Sequence, residues 1–370
     1  MRWPQPGAFL QPSERGHLGE LIIQARSRGI SIGSPGADYH WDLSRLNRVV
    51  SFYAPDMVLS VETGLSMSAV KDVVEAQRLW LPLDSSGNGE LPVAEYLAGD
   101  QSLSWLSHRY RTARDWVVSM TAVDDHGREV TSGARLVKNV AGYQLAPLYI
   151  GAEHSLGPVV EVSFRLLPLP TDLTLARWEA EDPSRLMTIL QAARQREHPS
   201  RHSDPWEGLR LEHREGRWQL DGITRFPPNV IETWVSTAND ELAQTIVRVN
   251  NPPREGELNG VQAELRILAQ PTRIPKLLEA LQPLGSDLVC YPASGIINLG
   301  SPPSQEGKEA LETMLVQVVV NGGLVQPLMT DLSVKLPRPA EVVGEQTIMA
   351  RVKTILDPEG VFGPLPAKLC

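Results

Sequence analysis

The stretch from Ser132 to Pro170, SGARLVKNVAGYQLAPLYIGAEHSLGPVVEVSFRLLPLP, constrains the fold more than any other part of the chain. It ends in strict alternation, with Val160, Val162, Phe164 and Leu166 set against Glu161, Ser163 and Arg165. That is the period of a strand with one buried face. Upstream, Gly142, Gly151 and Gly157 each leave main chain bare beside the strand. Bare main chain serves an ordinary turn or the close approach of a large ligand, and glycines alone do not separate the two. The functional alternative is a bulky anionic ligand lying on exposed amides.

Composition narrows the partners. A chain of 370 residues holds two or three domains, each large enough to bury its own core. Its hydrophobic content of 42% and charged content of 21% are those of an ordinary globular protein. A formal net charge of -9 with no basic cluster argues against nucleic acid, whose phosphates demand one. Cys290 and Cys370 lie far apart with no CxxC pair, so neither a disulfide scaffold nor an iron–sulfur cluster is expected within the chain, which suits a reducing cytoplasm. No run approaches a spanning helix of roughly 18 apolar residues.

In order along the chain, Leu18, Leu21, Ile22 and Ala25 share one helical face, and Gly29 supplies a C-terminal stop. A strand is expected at Ile30 to Ile32, then a turn-rich loop from Gly33 to His40. Ser66 or Ser68 caps a helix carrying Val70, Val73 and Val74. Val117 to Val123 and a return through Val130 form a hairpin around Asp125, His126 and Gly127. From about Thr171 the pattern changes. LTLARWEAE reads as a strand, SRLMTILQAARQ as a helix, GLRLEHREGRWQLDGI as a hairpin turning at Gly216, and QAELRILAQ as a half-buried antiparallel strand. A helix IPKLLEALQPLG, a strand DLVCYPASGIINLG and a helix KEALETMLVQVVVNGG follow. His198 to Pro205 and Asn250 to Gly260 read as solvated loops. The alternation suggests one antiparallel sheet backed by helices.

The run Lys138, Asn139, Val140, Ala141, Gly142, Tyr143, with Gly151, Leu156 and Gly157 after it, resembles the signature of the FAD-linked oxidases of the vanillyl-alcohol oxidase type. Within that PCMH-type FAD-binding family the resemblance is greatest to the branch of the bacterial glycolate oxidase E subunits. Leu46 to Arg48, Val61 to Gly64, and Leu356, Asp357, Pro358, Gly360, Val361, Phe362 and Pro364 extend the match. It is strong at 42–84, 109–170 and 349–364 and weak between 171 and 340.

The resemblance implies an α+β fold with a PCMH-type FAD-binding domain of two α+β subdomains over 1–171. An antiparallel-sheet cap domain with helices would span 172–340, and 341–370 would return to the FAD domain. It implies that FAD meets Gly33, Ser34, Pro35, Gly36, Ala37 and Asp38 in the first loop. Further contacts fall on Arg114, Lys138, Asn139, Gly142, Gly151, Ser155, Gly157 and Val160. A hydroxy-acid substrate is implied, with a second flavoprotein subunit and an iron–sulfur subunit as partners, in the cytoplasm or on the inner membrane through those partners. The chain departs from the pattern at several points. Glu95 and Tyr96 stand where the family has paired glycines, His154 where it has another, and Asp38 lies inside the loop assigned to the pyrophosphate. A flavin-free relative that serves as an assembly subunit is therefore the alternative.

Candidate catalytic groups are few. Oxidation of a 2-hydroxy acid needs a base for the hydroxyl proton and a cation for the carboxylate. His198 and His202 have i, i+4 spacing, but Pro199 and Pro205 argue against a shared helical face, and no metal is expected. His40 suits a covalent flavin or, more simply, a solvated loop. Lys138 suits a phosphate or a plain surface position, and Trp80, Trp105 and Trp116 read as core.

Overall fold

The computed structural model describes residues 3–33, 36–83, 90–99, 104–134, 145–195, 206–236, 243–249, 263–292, 294–327 and 343–366. The chain forms two compact units. The first comprises 1–103, 112–169 and 341–370, and the second comprises 104–111 and 170–340. The sequence reading placed 104–111 inside its first domain. In the structure this segment joins the second unit, where the Leu209 N–H donates to Trp105 O at 3.1 Å and the phenol of Tyr110 donates to buried Glu207. Burial, then the Glu207 contact, pushes the Tyr110 phenol up to about 12, so it stays a donor.

Unit one begins with the helix Arg15–Arg28, which buries Leu18, Leu21, Ile22 and Ala25 and stops at Gly29 in the left-handed conformation (φ 63°). The expected stripe and stop are both there. Beside it lies a small parallel sheet of Phe9–Leu10, Tyr39–Trp41 and Ile32–Gly33. The strand expected at Ile30 starts two residues later, at Ile32. A second, wholly antiparallel sheet runs in the order Val49–Tyr53, Val58–Glu62, Val159–Arg165, Val117–Val123, Glu129–Gly133. Of the two candidate caps, Ser66 is the one used, accepting from the Ala69 N–H at 3.2 Å ahead of the helix Met67–Glu75. Trp80 and Trp116 are buried as core. Two helix-and-sheet layers of this kind are the two α+β subdomains of the first domain.

Charge is buried between the helix and the second sheet. Glu62 and Glu161 are direct cross-strand partners and both are buried. Arg15 compensates them, its Nε lying 3.3 Å from Glu62 and its Nη2 donating to Glu161 at 2.8 Å. Arg48 donates to Glu62 through its main-chain N–H, Nε and Nη2 at 2.9–3.1 Å. Burial drives the Glu62 carboxyl up, but these bonds and the two guanidinium charges outweigh it and leave the group below its ordinary value.

Unit two is an eight-stranded antiparallel sheet in the order Ala243–Val249, Leu173–Ala180, Arg217–Thr224, Trp206–Arg214, Leu288–Tyr291, Ile296–Leu299, Leu265–Leu268, Leu324–Pro327. Its core gathers Trp178, Trp206 and Trp218 with residues of the helices Pro183–Gln195, Ile274–Leu281 and Gln305–Val320. One expected strand, DLVCYPASGIINLG, is in fact two, Leu288–Tyr291 and Ile296–Leu299, paired around a turn with Gly295 at φ 70°. Pro292 and Gly295 are the punctuation that the apolar run concealed. The helix Pro228–Ser236 and the strands Ala243–Val249 and Leu324–Pro327 were not anticipated. The two expected loops at 198–205 and 250–260 lie outside the described residues.

Cys290 is fully buried on a central strand, and burial pushes its thiol far up, away from the reactive thiolate. Maleimide is expected to leave Cys290 unmodified in the native protein and to label it after unfolding in urea. Mass spectrometry of the Cys290 peptide reads the difference. Labelling at equal rates in both states contradicts this burial.

Candidate functional site

Four pieces of unit one converge around Gly33: the first loop, the helix Val93–Ala98, the turn Gly151–Gly157 and the C-terminal return after Leu356. A Cβ on Gly33 would lie 3.0 Å from Phe362 O and 3.3 Å from His154 O. One on Gly157 would lie 2.5 Å from Val123 O and 3.3 Å from the Phe362 ring. Both residues also have positive φ, 144° and 117°, so only glycine lets these main chains close on one another.

The return is fixed by one carboxylate. Buried Asp357 accepts the Val361 N–H at 2.8 Å and the Phe362 N–H at 2.9 Å, and it takes an ion pair from Lys353, whose ammonium also donates to Ser155 O at 2.6 Å. The Ile32 N–H donates to Val361 O at 2.7 Å, tying the return to the first loop. In that loop the Asp38 carboxylate accepts from the Ser31 N–H (2.8 Å) and hydroxyl (2.9 Å), and those bonds hold it below its usual range. Gly36 and Asp38 are exposed, Ala37 is half-buried, and His40 sets its Nδ1 3.4 Å from Gly33 O.

In the turn, the Gly151 N–H donates to Leu97 O and the Glu153 N–H to Ala98 O. The Ser155 N–H donates to Ala152 O and the Gly157 N–H to His154 O. The Ser155 hydroxyl donates to Ala152 O at 2.6 Å, and Val160 is core. Glu95 reaches across from its helix to bring a carboxylate oxygen 3.5 Å from His154 Nε2, while its neighbour Tyr96 is fully buried. Arg114 is exposed and donates to Ile150 O at 2.6 Å. Ser34, Pro35, Lys138, Asn139 and Gly142 lie outside the described residues, as does the rest of the run through Tyr143.

Sequence reasoning weighed Glu95 and His154 separately and missed that they meet. No local signal joins residues so far apart in the chain. It also missed Lys353, for which helical spacing to Asp357 was a usable hint.

Elsewhere, Asp124, Asp125 and His126 have metal-ligand spacing at the hairpin turn. Asp124 is already engaged there, by the His126 and Arg128 N–H groups and the Arg128 guanidinium. In unit two, Arg177, Asp221 and Arg210 are direct cross-strand partners on the adjacent strands Leu173–Ala180, Arg217–Thr224 and Trp206–Arg214, and Glu212 joins them through a 2.7 Å bond from Arg210. Burial raises the Glu212 carboxyl above its ordinary range despite that guanidinium. Two carboxylates balance two guanidinium groups, so the row is self-compensating.

Residues 20–133 match the family described as FAD binding domain. The chain is 32% identical over 209 residues to a D-2-hydroxyglutarate dehydrogenase of Xanthomonas citri pv. viticola, covering 52% of this chain and 44% of that one. It is 27% identical over 163 residues to the glycolate oxidase subunit GlcE of Escherichia coli K12, covering 42% and 45%. The solved structure of Physcomitrella patens BBE-like 1 superposes with a TM-score of 0.68 at 13% identity, over 98% of this chain and 91% of that one. The chain is similar to the PCMH-type FAD-linked oxidases through the FAD-binding-domain match over residues 20–133. It spans less than half the length of the two curated relatives it matches here, and the distant structural likeness speaks for the fold alone.

FAD is the cofactor of this family, and the described residues fit it in part. The course of the main chain suits a dinucleotide, with positive φ at Gly33, Gly36, Gly151, Glu153, His154 and Gly157. The donors suit it less. Those named in the turn are spent on protein carbonyls, and Asp38 and Glu95 add negative charge to the first loop and the helix Val93–Ala98.

Proposed function

We propose that this PCMH-type chain is the FAD-binding component of an oxidoreductase that takes electrons from a 2-hydroxy acid, working in a complex with a second flavoprotein subunit and an iron–sulfur subunit. The match of residues 20–133 to the FAD binding domain carries this reading. Relatives named for D-2-hydroxyglutarate and glycolate support the substrate class, and the relative named as a subunit supports the complex. When bound, FAD supplies the acceptor for the substrate's electrons. On this reading the first loop, Arg114, the Lys138–Gly142 run and the turn from Gly151 to Val160 hold the cofactor. The protein works in the cytoplasm or on the inner membrane through its partners, and none of the described helices is long and apolar enough to cross a membrane.

A second reading, a flavin-free assembly subunit, draws support from one observation: buried Tyr96 and the Glu95–His154 contact together fill the helix–turn junction. The flavin content of the complex, purified from co-expressed subunits and assigned subunit by subunit, decides between them. A flavin on this chain that bleaches anaerobically on addition of a 2-hydroxy acid supports the first. Flavin accounted for entirely by the partner establishes the second.

A further inference from the structure

The turn Gly151–Gly157 holds two successive non-glycine residues in the left-handed region, Glu153 at φ 48° and His154 at φ 63°. Side chains resist this conformation, and it persists only where the surroundings over-determine it. Here the end of the helix Val93–Ala98 does so, taking the Gly151 N–H on Leu97 O at 2.8 Å and the Glu153 N–H on Ala98 O at 3.1 Å. The His154 ring is thereby turned inward to 8% exposure, and its buried Nε2 has no hydrogen-bond partner. Glu95 faces that nitrogen at 3.5 Å, the outer limit of a hydrogen bond.

The two partners differ in freedom. The Glu95 side chain is 45% exposed and His154 only 8%, while fully buried Tyr96 anchors the helix between them. The carboxylate can leave without the helix moving. Burial pushes its pKa up, but the hydrogen-bonding and charge of His154 outweigh this, and the group stays ionised at neutral pH despite nearby Asp42. The other acidic group of the seat, Asp38, is tied to Ser31 and faces its own loop.

We propose that the Glu95 carboxylate, parked against His154, occupies an anion position of the flavin seat, so that FAD enters only when Glu95 swings out. The inference rests on the flavin reading above and adds to it which residue sets cofactor affinity. A diphosphate seated at that position would meet the Glu95 carboxylate, and like charges a few ångströms apart in a partly buried site repel by several times thermal energy. The chain therefore holds FAD weakly while Glu95 is present.

The test is a titration of FAD, read by quenching of flavin fluorescence, into the purified full-length chain and its Glu95→Ala and Glu95→Gln variants. Circular dichroism melts establish that all three are folded, and the half-exposed helical position tolerates both changes. Both variants are expected to bind FAD about tenfold or more tightly than the parent chain, since each removes the charge. Saturable binding of equal or lower affinity in the variants overturns the proposal and leaves the flavin reading standing. If neither the parent nor the variants take up FAD, both the proposal and the flavin reading fail.

Discussion

Replacement of Arg15 by alanine is expected to destabilise the first unit by about 3 kcal/mol, because it leaves two buried carboxylates facing each other across a strand pair. Glu62 and Glu161 are cross-strand partners, and Arg15 bridges them while reaching Glu129 at 3.5 Å. Removing one member of a buried ionic group costs more than the group contributes, since the remaining charge stays desolvated. Hydrogen exchange is the suitable measurement, because a two-unit chain need not unfold in one step. Amides of Val58–Glu62 and Val159–Arg165 should exchange about a hundredfold faster, and unit two should be unchanged. A change below about threefold would show that Arg48 alone suffices.

The pH dependence has a definite sign. The folded-state pKa of Glu62 is depressed, so its stabilisation is complete above the unfolded carboxylate value, about 4.3, and is lost as pH falls through the folded value. Without Arg15 one of the influences that lower the Glu62 carboxyl is lost and it moves up, while Arg48 still opposes burial. The deficit of the variant relative to the parent should therefore shrink on acidification.

Replacement of Asp221 by alanine is expected to cost about 4 kcal/mol in unit two. Fully buried Asp221 accepts from Arg177 Nε at 2.7 Å and Nη2 at 3.3 Å, from Arg210 Nη2 at 3.3 Å and from Gln219 at 2.9 Å. Its loss leaves the buried Arg210 guanidinium with Glu212 alone among these carboxylates, in the middle of an eight-stranded sheet. Urea unfolding followed by the fluorescence of Trp178, Trp206 and Trp218, all in the unit-two core, should show the midpoint falling steeply. Asp221→Asn keeps the shape and part of the bonding, so its loss should be smaller. Equal midpoints for the parent and the alanine variant would mean that the row contributes no net stability.

Local signals in the sequence were recoverable and distant ones were not. The Leu18, Leu21, Ile22, Ala25 stripe, the Gly29 stop and the Gly216 hairpin follow from period and turn chemistry, which act over a few residues. The apolar run of residues 287 to 300 misled, because a turn inside a doubly buried hairpin interrupts hydrophobicity very little. The departure of 104–111 to the other unit left no periodic trace, since that segment is anchored by Glu207, far along the chain. At the candidate site, the frame was legible from Gly33, Gly157 and the Asp357–Phe362 phrase. The contacts were not, because Glu95 meets His154 only once the helix and turn have folded together.

The central claim is that unit one seats a flavin, and equilibrium dialysis of FAD against the folded chain tests it most directly. Saturable uptake approaching one FAD per chain is the expected result. No uptake above a buffer blank over the same range, with circular dichroism showing the chain folded, would contradict it.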